Sequence, residues 1–431
     1  MTRSSESYYR ATAHAAPARP SLRGEVETEV CVVGAGFAGL NTALGLAERG
    51  RRDVVVLESE QIAHGASGRN GGFVFAGFSR GEGSLLRELG PDRARALFRG
   101  TRDAVALIRE RSRRYAIDCD RVDAGVIWAN WFRDEQVLRS RQQRLAQDFD
   151  THWEWIPQAS LRQRLRTERY SDGLFEADAF HFHPLNYALG LAAVLQQQGV
   201  RVHEHSPAIA LQADGAGWRV TTPAGSVRTQ HVVLACGGYL ARLRREVDAG
   251  VLPIATYVMV TEPLGSRLSD AIVGDAAVYD TRFAFDYYRP LADTRLLWGG
   301  RISVRDRAPR QVERLLRRDL LRVFPQLDGL RVDYAWSGLM SYARHEMPQL
   351  GRIDRGLWLA QAFGGHGVAP TTLAGEVIAA AIAEDDPRWR EFADYGLVSA
   401  LKPAGFVGAQ LTYWWLQWLD GWKARSERRA A

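Results

Sequence analysis

Two hydrophobic periods alternate along this chain, and the places where one gives way to the other divide it into parts. Residues 30–33 are an unbroken apolar run, followed by glycines at 34, 36 and 39, with Phe37, Leu40, Leu44 and Leu46 at helical spacing. That order predicts a strand buried on both faces, a tight turn, and a helix over 37–49. A second apolar run at 53–57 predicts the next strand of a parallel sheet. The loop 65–72 (GASGRNGG) is too rich in glycine for helix or strand and suits a close approach of backbone to a ligand.

Amphipathic patterns next predict two helices over 84–117, broken near Gly90 and Pro91, and a strand over 122–129. Helices follow at 134–150 and 160–169, and Pro184 opens another that runs to 198. A strand at 199–203, a hairpin formed by 218–222 and 226–234, and the core run 232–238 bring the chain back to the first sheet. From about 250 to 335 strand-like segments at 254–261, 277–280, 283–289 and 296–299 suggest an antiparallel sheet, with a helix at 309–323. A strand at 357–363, a Gly-Gly-His-Gly turn at 364–367 and a small-residue helix at 371–383 form a third return. The expected class is α/β, with a Rossmann-like cofactor domain interleaved with an antiparallel-sheet substrate domain. The cofactor domain is expected over 27–83, 146–249 and 336–400, and the substrate domain over 84–145 and 250–335. Extensions of 1–26 and 401–431 flank them.

Composition adds exclusions. Among 431 residues, 46% apolar and 25% charged side chains suit a large globular core. The net charge of +6 is spread along the chain, and nearly all basic residues are arginine, the lysines being Lys402 and Lys423 alone. No zinc-finger spacing, basic helix or RNA-binding motif is present, so nucleic acid is not an expected partner. Cys31, Cys119 and Cys236 are widely spaced and form no CxxC pair, so they are expected to be buried thiols. No run approaches the about 18 apolar residues of a membrane span. Residues 1–23 lack the apolar stretch of a secretory signal, and the expected compartment is the cytoplasm. Near the C-terminus Trp414, Trp418 and Trp422 recur at helical spacing beside Leu411 and Trp415. The expectation is a helix packed on the domain surface, with a membrane surface or a second subunit as alternatives.

The chemistry begins at 34–39 (GAGFAG). Gly34 permits a tight turn, Gly36 admits a pyrophosphate to the helix N-terminus beside Phe37 and Ala38, and Gly39 allows close helix–strand contact. Nineteen residues after Gly39, Glu58 ends the second strand, placed to accept hydrogen bonds from a ribose. One uninterrupted fold of this kind would suit NAD. Three separate returns suit a longer, buried FAD. The further cofactor candidates are Ser67, Arg69, Asn70, Gly71 and Gly72 in the glycine loop, Val202 and Gly237 at the second return, and Gly365, His366, Gly367 and Val368 at the third. The helix starting near Pro370 would direct its positive dipole end at the reduced flavin.

These features resemble the D-amino-acid-oxidase-type family of FAD oxidoreductases, with the fold of glycine and sarcosine oxidases, and within it the gamma-glutamylputrescine oxidoreductases. The segments that carry the resemblance are 7–10 (SYYR), 65–72, 115–120 (YAIDCD), 183–186 (HPLN), 286–289 (DYYR), 324–327 (FPQL), 347–351 (MPQLG) and 365–368 (GHGV), spread from about residue 7 to 400. The resemblance implies a glutathione-reductase-type FAD domain. It also implies oxidation of a small-molecule amine by hydride transfer to flavin N5, hydrolysis of the imine to an aldehyde, and reduction of O2 to hydrogen peroxide. Some relatives link FAD to a cysteine in the segment corresponding to 338–348. None occurs here, and His64 is expected to be unlinked, so FAD is expected to be non-covalent. The lysine by which such relatives hold a substrate carboxylate corresponds to Ala369, and no lysine precedes Lys402 to stand over the flavin.

Near the substrate, His366 is expected to face the flavin, and Arg344, His345 and Glu346 to approach the substrate, with Arg344 as the carboxylate partner. Of Tyr287 and Tyr288 only one can line the pocket, because strand side chains alternate. Trp336 is a candidate wall. His181 and His183, with Asp178, are expected to make structural contacts, and no metal site is expected. The competing readings are an oxidase of a cyclic amino acid such as pipecolate, anchored by Arg344 or Arg69, a flavin-binding subunit without turnover, and a nicotinamide dehydrogenase.

Overall fold

The computed structural model describes residues 6–429, with side chains through Glu427. Two eight-stranded sheets organise it. In the first, the order is Gln349–Asp354, Leu357–Gln361, Gly225–Leu234, Gly24–Val33, Val54–Leu57 and Arg201–His203. Apart from the antiparallel first strand, these run parallel, with Val30 opposite both Val54 and His231. Val30–Val33 and Val54–Leu57 are buried throughout, as expected of strands covered on both faces. Ala210–Asp214 and Gly217–Thr221 extend Gly225–Leu234 as an antiparallel flap.

Helices Phe37–Glu48, Pro184–Gln197 and Val368–Glu384 bury most of their residues in the core beside this sheet. The helix Pro91–Arg114, expected in the substrate domain, instead packs on Val368–Glu384 and buries Leu97, Phe98, Ala104, Val105 and Ile108 in the same core. Arg111 ties it in. Its fully buried guanidinium pairs with Glu48 at 2.5 Å and with Glu376, and donates to Asn41 at 2.8 Å, tying three helices together. Burial alone would disfavour that cation. Its carboxylate partners outweigh burial and hold its pKa above the ordinary arginine value.

The second sheet runs Val332–Tyr342, Leu252–Thr261, Leu296–Ser303, Asp286–Pro290, Ala277–Asp280, Val126–Ala129, Gly173–Glu176 and Glu154–Ile156. It is antiparallel except between Ala277–Asp280 and Val126–Ala129. Two boundaries therefore differ from expectation. Glu154–Ile156 and Gly173–Glu176 belong to this sheet, beyond the expected break at 145, and Val332–Tyr342 runs across the expected break at 335. Each is a strand whose partner is distant in sequence, which local pattern cannot reveal.

The N-terminal extension is built into the fold. Tyr9 is fully buried and accepts a hydrogen bond on its Oη from Arg289 at 3.2 Å. The same guanidinium donates to the carbonyls of Gly71 and Phe182, each at 2.8 Å, and to His181 Nδ1 at 3.2 Å. His183 Nδ1 caps its helix by accepting from the Asn186 N–H at 3.1 Å, and its Nε2 meets Thr12 Oγ1 at 3.1 Å. Segments 7–10, 65–72 and 286–289 thus meet, with His181 and Phe182, around one arginine. Both histidines make contacts within the fold, and no group of three or more potential metal ligands is found among the described residues.

Candidate functional site

Between the two sheets lies a cavity of about 1390 Å³. Its floor is the first strand–turn–helix. Gly34 has φ of +106°, and a side chain there would bring Cβ to 2.6 Å from the Ala235 carbonyl oxygen. A Cβ at Gly36 would lie 2.9 Å from Ser67 Oγ, so the floor is open because these residues are glycine. Phe37 N–H donates to Ser67 Oγ at 2.9 Å, and Phe37 and Ala38 line the cavity at the helix N-terminus. Gly39 lies below the floor, where a side chain would collide with the Gly34 carbonyl.

Glu58 stands at one end of the cavity. Its Oε2 accepts from the Ala35 N–H at 2.9 Å, and its Oε1 from the Glu60 N–H and Ser59 Oγ, each at 3.1 Å. The turn and its acid are therefore one hydrogen-bonded unit. Beside Glu58 the wall is Ser206, Pro207, Ala208 and Ile209, not Val202. Val202 is buried in the core under the sheet edge, because strand alternation turns its side chain away. Gly237, with φ of +55°, and Cys236 line the adjacent wall.

The glycine loop forms the middle. Arg69 Nε donates to the His64 carbonyl at 2.8 Å and its Nη1 to that of Ser337 at 3.3 Å, with no carboxylate partner among the described residues. Asn70 braces the loop internally, donating to the Ala66 and Ser67 carbonyls and accepting from the Gly72 N–H. Arg69, Asn70 and Gly71 line the cavity. Gly72 lies outside it, against Arg289 and the Phe182 carbonyl. Trp336 also lies outside: it is buried behind the loop, and its Nε1–H donates to the Arg69 carbonyl at 3.0 Å. It supports the wall from behind.

At the far end the cavity meets Gly365, His366, Gly367 and Val368, the turn that opens helix Val368–Glu384. Ser79 Oγ accepts from the N–H groups of Gly365 at 2.9 Å and His366 at 3.3 Å, fixing this turn. The helix begins two residues before Pro370, so its positive dipole end reaches the cavity. His366 packs edge-on to Phe75 at 4.7 Å between centroids, and Phe75 stacks on Tyr279 at 5.6 Å. Burial, then the nearby Arg141 cation, pushes the His366 pKa down to about 4, so the ring is neutral near pH 7. Tyr287 lines the cavity, its ring filling the space beside Gly71 where a Cβ would lie 2.5 Å away. Tyr288 points to the other face of the sheet, stacked on Trp298 at 4.5 Å.

Charges around this end are unequal. Arg282 pairs with Asp280 and Asp286, each at 2.6 Å, and Arg301 with Asp319, so these lining guanidiniums are neutralised. Arg344 is exposed at the rim and carries no ion pair among the described residues. Glu346 pairs with Arg80 at 3.4 Å. His345 is outside the cavity. Its Nε2 bonds to the Gly396 carbonyl at 3.1 Å and its Nδ1 accepts from the Met347 N–H, so it holds the chain turn rather than a substrate.

Several lining groups escaped the sequence reading. Phe75, Tyr279 and Phe285 form an aromatic wall, for which alternation after the glycine loop was the available signal. Gln410 and Tyr413 arrive from the C-terminal helix Ala404–Arg429. Its tryptophan pattern signalled a helix, but no local pattern signalled that the opposite face roofs the cavity.

The volume of the cavity, its glycine floor, the acid at its end and the helix N-termini at its floor and far end fit FAD. Residues 29–381 match the family described as DAO, FAD dependent oxidoreductase. The chain is 36% identical to gamma-glutamylputrescine oxidoreductase of Escherichia coli over 91% of this chain and 92% of that protein. It is 34% identical to the probable oxidoreductase OrdL of Haemophilus influenzae, over 86% of each. In fold it is similar to glycine oxidase from Geobacillus kaustophilus, with a TM-score of 0.72 at 21% identity, over 86% of this chain and 99% of that one. The match along most of the chain and the cofactor-shaped cavity lead to one conclusion: the protein belongs to the DAO family of FAD-dependent oxidoreductases.

Proposed function

We propose that this oxidoreductase acts on a primary or secondary amine of the gamma-glutamylputrescine type, with O2 as electron acceptor. The observation that carries this reading is the division of the cavity's far end into an uncharged interior and a cationic rim. Phe75, Tyr279, Phe285 and Tyr287 offer apolar walls with neutral His366 among them, and the interior arginines 282 and 301 are already paired. A carboxylate next to the reacting carbon would meet Arg282 and Arg301 there already paired with carboxylates, and Ala369 offers no cation. A long amine with a distant carboxylate can place it at Arg344. The similarity to gamma-glutamylputrescine oxidoreductase supports the same substrate class.

When bound, FAD supplies the redox chemistry: hydride acceptance at flavin N5 from the carbon bearing nitrogen, and return of the electrons to O2 as hydrogen peroxide. The imine left behind hydrolyses to an aldehyde. The chain's part is holding and orientation. Glu58 would hold the ribose, the 34–38 turn and Arg69 would hold the phosphates, the 365–368 turn presents a positive helix end, and the aromatic wall would exclude water from the amine.

We further propose that FAD is held non-covalently. Cys236 is the cysteine on the cavity, and burial pushes its thiol pKa up to about 12, leaving no thiolate to attack. Acid precipitation should release all flavin into the supernatant, and yellow protein in the pellet would refute this. The substrate proposal is tested by anaerobic flavin bleaching with a panel of amines and amino acids. Bleaching by gamma-glutamylputrescine is expected. Bleaching confined to pipecolate, proline or sarcosine would overturn it, and no bleaching by any compound would favour a subunit without turnover. Oxygen uptake compared with anaerobic dye reduction decides the acceptor.

A further inference from the structure

The helix Ala404–Arg429 turns an aromatic and aliphatic face outward. Val407, Leu411, Trp414, Trp415, Trp418 and Trp422 are each 56–61% exposed. At 3.6 residues per turn they fall within about 100° of arc. The opposite face holds the protein through polar groups. Gln410 accepts from Ser303 Oγ and the Val304 N–H, and Asp420 accepts from the Phe283 N–H at 2.9 Å. Lys423 pairs with Asp134 at 3.2 Å, and Glu427 accepts from the Arg133 N–H at 2.8 Å. A helix that only covered the core would turn its tryptophans inward.

Charge identifies what the outward face meets. After Trp422 the chain reads KARSERR, with basic residues outnumbering the single acid. Tryptophan rings beside clustered arginine and lysine match the boundary of an anionic bilayer, where indoles sit at headgroup level and cations meet phosphates. No described helix is long and apolar enough to cross a membrane, so the helix would lie along the surface.

We propose that Ala404–Arg429 seats this enzyme on an anionic lipid surface through its tryptophan-bearing face.

The test uses the full-length, flavin-loaded protein with vesicles of phosphatidylcholine alone or mixed equally with phosphatidylglycerol. The wild type should co-sediment with the mixed vesicles, with a blue shift of tryptophan emission. A variant carrying Trp414→Ser, Trp415→Ser, Trp418→Ser and Trp422→Ser should stay in the supernatant while retaining its flavin spectrum. Arg425→Gln should weaken vesicle affinity about fivefold, the effect of one basic residue at an anionic surface. Wild type that ignores both vesicle types would overturn the proposal. So would a wild-type dimer that becomes monomeric in the tryptophan variant without any lipid binding, because the face would then join two copies.

Discussion

Replacing Arg289 with methionine should loosen the cofactor loop and the N-terminal extension together. The guanidinium is 3% exposed, and all four of its partners are neutral: two backbone carbonyls at 2.8 Å, and Tyr9 Oη and His181 Nδ1 at 3.2 Å. Methionine fills similar volume but donates nothing. Each of the two carbonyls left unsatisfied costs about 1–3 kcal/mol, and the longer contacts add less. Against this, a buried cation without a carboxylate is expensive, and removing it recovers part of the loss. The net expectation is about 2–4 kcal/mol of destabilisation, read from the shift in urea midpoint at unchanged slope. Because one of the freed carbonyls belongs to Gly71, flavin content should fall as well. Arg289→Lys keeps the charge but loses the planar fork, so it should rescue only part of either effect. If Arg289→Met unfolds within about 1 kcal/mol of wild type and keeps its full flavin, the idea that this residue joins the separate segments is wrong.

Three further outcomes are expected. His181 and His183, each lowered to about 3, and His366, lowered to about 4, stay neutral in the fold because burial and nearby arginines oppose their protonation. The unfolded chain protonates them below about pH 6.5, so stability is fully present above that pH and is lost as the pH falls toward 4, by at most about 1.4 kcal/mol per pH unit for each histidine. Urea midpoints between pH 7.5 and 4.5 check this, and a slope unaltered by His366→Asn would contradict that residue's share. Gly34→Ala forces a side chain at φ of +106° and 2.6 Å from a carbonyl oxygen, so the purified protein should carry far less flavin per chain; a wild-type ratio would show that the turn relaxes. Arg344→Gln should raise KM about tenfold for an amine bearing a distant carboxylate and leave putrescine unaffected, with kcat constant in both cases. An equal change for both substrates would remove Arg344 from carboxylate recognition.

Legibility in the sequence followed the range of the interactions. The turn at 34–39, its strand and helix, and Glu58 were readable because a parallel strand buried on both faces and a glycine turn leave signatures within a few tens of residues. The alternation of Tyr287 and Tyr288 was readable for the same reason: one lines the cavity and the other stacks on Trp298. The candidates that proved to lie off the cavity depended on direction. Val202, Trp336 and His345 are in the expected segments, but the register of a strand or the fold of a turn points each elsewhere.

The sequence by itself determined the cofactor handle and the order of the elements, since φ preference, apolar period and helix-opening residues act locally. Only the tertiary structure decided which distant segments share a wall. Arg289 joins segments more than a hundred residues apart, Arg111 ties a helix to the cofactor side, and the C-terminal helix turns its tryptophans outward while Gln410 and Tyr413 close the cavity. Those outcomes depend on which buried polar groups find partners across the chain, and that pairing leaves no local period to read.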